Sequence, residues 1–153
     1  MTIQNDVSAD DWGFDFEAAH KKINQTPLEM VREFAMCMDH PLRQNWLSKS
    51  TEAVKLEHMR WELIAEEFWE ASDESEAKQH PEAMLKEMAD IIYVVFGYCA
   101  TYGWDLDEAV RRVHASNMSK MGPDRSPIKR EDGKVLKGLN YKKPDLSDLV
   151  GVK

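Results

Sequence analysis

The sequence predicts an all-α protein: a four-to-five-helix bundle with a short hairpin or extended C-terminal arm. Three observations point there. Apolar residues recur at spacings of three and four through most of the chain between residues 26 and 121. Helix-start signals precede those runs at regular places. Only seven Gly and six Pro interrupt 153 residues, mostly at element ends.

Taken in order, residues 1–25 form an N-terminal segment in which Trp12, Phe14, Phe16, Ala18, Ala19 and Ile23 are enough for one short helix. Thr26-Pro27-Leu28-Glu29 then combines a capping box with Pro at the first helical position. Leu28, Val31, Phe34, Ala35 and Met38 continue at helical spacing until His40-Pro41 stops the run. A second helix is expected from Ser50 to Ser72, and a third from Pro81 to Tyr102, ended by Gly103 and ~33 Å long at 1.5 Å per residue. Asp105-Leu106-Asp107-Glu108 is another capping box, and it starts a fourth helix whose stripe of Val110, Val113, Asn117 and Lys120 is read as core-facing. From residue 122 the text becomes a basic arm. Within it Asp132-Gly133 between short apolar-containing stretches suggests a small hairpin, and the rest is expected to be extended. The whole, 1–153, is read as one domain.

Composition narrows the class. A net charge of −8 argues against nucleic acid as a partner, because non-specific binding needs a basic footprint. The longest apolar run, Ile91 to Phe96, is far short of the ~20 residues a bilayer span needs, and the N-terminus is acidic, unlike a basic signal peptide. No membrane association is expected. Cys37 and Cys99 lie in apolar contexts without a CxxC or His partner, so both are expected as buried reduced thiols, which suits the cytoplasm. Charge is also unevenly spread: residues 1–110 hold 9 basic against 23 acidic residues, net −14, and residues 111–153 hold 11 against 5, net +6. A basic tail on an acidic body suits a polyanionic ligand held against bound cations.

The acidic residues are not scattered. At about 100° per residue, Glu66, Glu67 and Glu70 fall within one side of the second helix, on a stripe whose earlier turns carry Leu56, Met59 and Leu63. On the third helix Glu87 and Asp90 share the stripe of Met84, Ile91, Val94 and Tyr98. Carboxylates on an inward face cost several kcal/mol per ion unless a cation compensates. Lys86 has the spacing to pair with Asp90 but is offset around the helix, so a bound ion is the economical answer. Oxygen ligands without His or Cys favour Mg²⁺, with Mn²⁺ as a substitute, over zinc. A di-iron site would need Glu-x-x-His on two helices, and the one such pair is Glu17 to His20.

Glu66-Glu67-x-x-Glu70, sixteen intervening residues, then Glu87-x-x-Asp90 resembles the EExxE…ExxD signature of the all-α nucleoside triphosphate pyrophosphohydrolases, the superfamily of MazG, dimeric dUTPases, dCTP pyrophosphatases and phosphoribosyl-ATP pyrophosphohydrolase. His114 to Lys120 and Asp132 to Tyr141 are similar to segments of its MazG-like and phosphoribosyl-ATP pyrophosphohydrolase-like branch, so the likeness spans roughly residues 26–146. It departs at Phe34-Ala35, where related sequences often have Phe-His. The resemblance implies metal ligation by Glu67, Glu70, Glu87 and Asp90, with Glu66 beside them. It implies phosphate contacts from Asn117 and Lys120.

The expected activity is Mg-dependent cleavage of a nucleoside triphosphate to the monophosphate and pyrophosphate by water attack at the α-phosphorus. Glu66 or Glu67 would act on the water, and His114, Lys134 and Lys137 would join Asn117 and Lys120 on the substrate. Two other readings compete: a nucleotide sensor of the same fold without turnover, and a helical interaction protein with a decorative acidic face. The second and third helices are expected to lie antiparallel. The segment from Ile91 to Ala100 is apolar nearly all round, so a homodimer, or alternatively a tetramer, is expected to cover what one small bundle cannot. Trp61, opposite the glutamates on the wheel, is read as packing.

Overall fold

The computed structural model describes residues 25–78, 80–122, 124 and 126–150. The expected N-terminal helix, and with it Glu17 and His20, lies outside them. The described residues are helical, with four α-helices: α1 Pro27–Cys37, α2 Thr51–Ala77, α3 Pro81–Tyr102 and α4 Leu106–Met118, followed by a 3-10 turn Ser147–Leu149. This is the expected all-α class.

The caps read from sequence act as expected at α1, where Thr26 Oγ1 accepts from the Glu29 N–H at 3.3 Å and the Glu29 carboxylate accepts from the Thr26 N–H at 2.8 Å. Ser50 caps α2 through the Ala53 N–H. α2 runs to Ala77, five residues past the expected end at Ser72, because Asp73 to Ala77 contains neither Gly nor Pro to break it. α3 has the expected bounds, and Gly103 closes it at φ +73°, a left-handed conformation that glycine adopts without Cβ strain. At α4 only half of the box forms. Asp105 Oδ1 accepts from the Glu108 N–H at 3.0 Å, but the Glu108 carboxylate turns forward to Arg111 and Arg112.

Helices α2 and α3 pack as an antiparallel pair, as expected. Glu70 meets Lys86 near the α2–α3 turn, while Trp61 and Glu57 meet Tyr98 further along. α1 crosses α3, and their shared core is Leu28, Val31, Phe96 and Ala100, with Leu42 and Leu106 packed against it. Thr101, fully buried, returns its hydroxyl to the Gly97 carbonyl at 2.9 Å. The α1–α2 loop is tied to the end of α3 by the Gln44 N–H to Thr101 O bond and by Trp46 Nε1 donating to Tyr98 Oη. Arg60 is buried in this region with Nε unpartnered among the described residues, and burial pushes its guanidinium below its ordinary pKa.

Two burial expectations are corrected. Val110 on α4 is 54% exposed, and Val113, Asn117 and the other outward groups share that open side. α4 rests on α1 and the 3-10 turn, with Leu106 packed against the core at its start and Ser116 buried further along. Cys37 is exposed because α1 ends there, whereas Cys99 is half-buried and its thiol is pushed up to about 11. Trp61 packs as expected, its ring on Tyr98 at 5.5 Å, while 56% of it stays exposed.

The arm also differs from an extended strand of chain. A turn around Gly133 is closed by the single bridge Lys129 to Val135, which is the expected hairpin in its smallest form. The chain then folds back along α4. Gly138 donates to Lys120 O at 3.2 Å, Lys142 N donates to Ser119 Oγ, Ser116 Oγ donates to Lys142 O, and Arg112 forks onto Asp148. A Cβ on residue 138 would sit 2.9 Å from Lys120 O, so this approach requires glycine.

Candidate active site

The α2–α3 turn spans residues 78–80, so the second half of α2 faces the first half of α3. That geometry carries the two acidic stripes toward each other. Glu67, Glu70 and Glu87 each offer a carboxylate oxygen, all within 4.8 Å of one another. Asp90, one turn along α3 from Glu87, joins them through Lys86, whose ammonium lies 3.0 Å from Asp90 Oδ2, 3.1 Å from Glu87 Oε1 and 3.9 Å from Glu70 Oε2. Glu66 is adjacent in sequence but exposed.

Electrostatics follow this packing. Partial desolvation, with repulsion from Asp90, Glu70 and Glu87, pushes the Glu67 carboxyl above the usual carboxylate range, and Lys86 opposes the shift. Hydrogen bonds to Asp90 and Glu87 hold the Lys86 ammonium above its ordinary range. Lys86 was the residue that wheel geometry discounted. Its four-carbon stem covers the angular offset, and the i,i+4 spacing to Asp90 was the visible signal.

The other expected site residues stand apart. Lys120 Nζ donates to Asn117 Oδ1 at 2.7 Å at the end of α4, and His114 is exposed one turn earlier. Lys137 lies over the Tyr141 ring, 4.4 Å from its centroid, and Lys134 sits in the hairpin turn. Among the described residues no hydrogen bond or ion pair links these groups to the carboxylates. A separate cavity of about 390 Å³, lined by Trp46, Ser50, Leu56, Glu57 and Tyr102 among others, opens at the far end of α2. Leu56 is eleven residues from Glu67, or ~16 Å along the helix, so that cavity is not part of the carboxylate cluster.

The family model for phosphoribosyl-ATP pyrophosphohydrolase matches residues 31–117. The chain belongs to this family. It is therefore a member of the MazG-like all-α nucleoside triphosphate pyrophosphohydrolase superfamily, and a pyrophosphohydrolase acting on a nucleotide-like substrate. The match encloses all five carboxylates, His114 and Asn117, and it stops before Lys120 and the basic arm. No curated protein matches closely enough to count as a relative. No described helix is long and apolar enough to cross a membrane.

Proposed function

We propose that this pyrophosphohydrolase is Mg²⁺-dependent and converts a nucleoside triphosphate to the monophosphate and pyrophosphate. The observation that carries the reading is the convergence of Glu67, Glu70 and Glu87 within the family-matched segment, with Asp90 one turn away. The donor set fits a hard divalent ion. Three carboxylates already bring an oxygen each to within 4.8 Å of one another, with no His or Cys among them. Glu67, Glu70, Glu87 and Asp90 would hold Mg²⁺, or Mn²⁺ in its place. When bound, the ion supplies charge neutralisation for the triphosphate and the departing pyrophosphate.

The chain's own residues do the rest. Glu66, exposed beside the cluster, accepts the proton of the attacking water, and Glu67 is the alternative base. The water oxygen bonds to the α-phosphorus in line as the bond from that phosphorus to the bridging oxygen breaks, and the bridging oxygen leaves with pyrophosphate. Asn117 and Lys120 hold the β and γ phosphates, with His114 beside them, and Lys134 and Lys137 add positive charge from the arm. The protein works in the cytoplasm as a homodimer, with a tetramer as the alternative assembly. Supporting the assembly, the same helix pair exposes several large apolar side chains, among them Leu85 at 72%, Trp61, Trp69 and Ile92.

A panel of nucleoside triphosphates and phosphoribosyl-ATP with Mg²⁺ in ¹⁸O-labelled water tests the chemistry. The label should enter the monophosphate. Label in pyrophosphate, or inorganic phosphate as first product, would overturn α-attack, and binding without turnover would favour the sensor. Sedimentation at micromolar concentration tests the assembly, and a monomer refutes it.

A further inference from the structure

We infer that Lys86 is a tethered counter-ion that occupies the carboxylate cluster when no metal is bound and is displaced by the divalent ion, weakening the ion's affinity while holding α2 to α3 in its absence. This rests on the metal reading above. The ammonium spans the helix pair, touching both oxygens of Glu87 at 3.1 and 3.2 Å, Asp90 at 3.0 Å and, across the interface, Glu70 at 3.9 Å. It takes up the same oxygens that the ion would need. An ammonium has three donors and no acceptor, so it cannot stay in place once those lone pairs are committed elsewhere, and the ion would repel it.

Mobility is unequally divided between the partners. The Glu87 side chain is only 13% exposed, those of Asp90 and Glu70 are 37% and 50% exposed, and that of Lys86 is the most open at 61%. Displacement therefore requires only that a solvated lysine stem swing outward, with no helix moving. The tether also explains how four carboxylates can be kept near one another in a metal-free chain without splaying α2 from α3. A lysine at this position holds the cluster assembled and makes entry of the metal an exchange of one cation for another.

The test combines a variant with a measurement on the unmodified protein. Calorimetric titration of Mg²⁺, repeated with Mn²⁺, should show about three- to tenfold tighter binding to Lys86→Met than to wild type, with Lys86→Arg near wild type. In wild type, acetylation of Lys86 by acetic anhydride, read by peptide mass spectrometry against the exposed Lys55 and Lys78, should speed up when Mg²⁺ is added. Binding detected only in Lys86→Met would be the extreme form of the same result. If wild type binds the ion but Lys86→Met binds it no more tightly, or Lys86 acetylation does not change, the exchange is overturned while the metal site stands. If neither protein binds either ion, the metal reading falls and the exchange falls with it.

Discussion

Glu67→Gln should reverse the sign of its effect on stability with Mg²⁺. Glu67 is partly desolvated and has carboxylate neighbours within 4.8 Å on both helices. In a water-like dielectric each like charge at that distance costs about 0.9 kcal/mol, so two cost about 1.7 kcal/mol, and Lys86 offsets part of this. Neutralising Glu67 without changing its shape should therefore stabilise the metal-free chain by about 0.5–1 kcal/mol, which is a rise of ~1–4 °C for a chain of this size. With Mg²⁺ at a hundredfold over its Kd, wild type gains about 2.7 kcal/mol from binding. The variant has lost a ligand charge and should gain less than half of that. Thermal melts of both proteins in EDTA and in Mg²⁺ should then cross, with the variant higher in EDTA and lower in Mg²⁺. A variant less stable than wild type in EDTA would refute the repulsion argument. Equal Mg²⁺ increments in the two proteins would refute ligation by Glu67.

Three further outcomes follow from the packing. Gly97→Ala should stabilise by about 0.5–1 kcal/mol from helix propensity, because its Cβ would meet only Arg60 Nη1 at 3.5 Å and Val31 Cγ1 at 3.9 Å, whereas Gly97→Val should be destabilising in urea melts because it overfills the crossing. Arg112→Ala should free the arm from α4 and speed tryptic cleavage after Lys142. Acid should loosen α4 and the arm locally, each within itself: hydrogen bonds from Arg112 and Arg111 hold Glu108, and those from Ser147 hold Asp145, below the usual carboxylate range, so this stabilisation is complete above about pH 4.3 and is lost as pH falls through the depressed values. Thiol labelling at pH 8 should modify Cys37 first, with Cys99 slow because its pKa is about 11; equal rates would contradict the burial of Cys99.

Local signals carried most of the fold. Capping residues and helical period specified α1 and α3 closely, since a cap acts within four residues and Gly103 or Pro81 acts on its own dihedrals. What a helix faces is not local. Val110 and Val113 have the spacing of a core stripe, but whether another helix lies over them depends on how α1 and α3 cross, and among the described residues nothing does. The acidic stripes were legible because their spacing is helical on both members of one hairpin, and a three-residue turn leaves little choice about which faces meet. The pairing of Lys86 with Asp90 was legible from its i,i+4 spacing, but its reach to Glu87 and Glu70 was not, because a wheel places Cβ atoms and the lysine ammonium lies three carbons further out. The fold-back of the arm depends on the hydroxyls of Ser116 and Ser119, which bear no periodic signal at all.

The arrangement divides the α2–α3 pair by function. Burial concentrates around Phe96, Ala100 and Thr101, where α1 crosses and the aromatic rings of Trp46, Tyr98, Tyr102 and Trp104 gather. Asp90 is ten residues, or ~15 Å, from Ala100, and the helix turns around the carboxylates lack a comparable core. The ion pairs of Lys86 tether the two stripes, but through one exposed side chain they stabilise this end far less than a buried core would. The acidic end is therefore the least self-supporting part of the helix pair, and the part that gains most from anything that binds there. Like charges opposed across two helices store repulsion that the proposed divalent ion would relieve. The carboxylates that weaken the free protein would then supply the affinity of the proposed loaded one, so improving the packing at this end would act against the site.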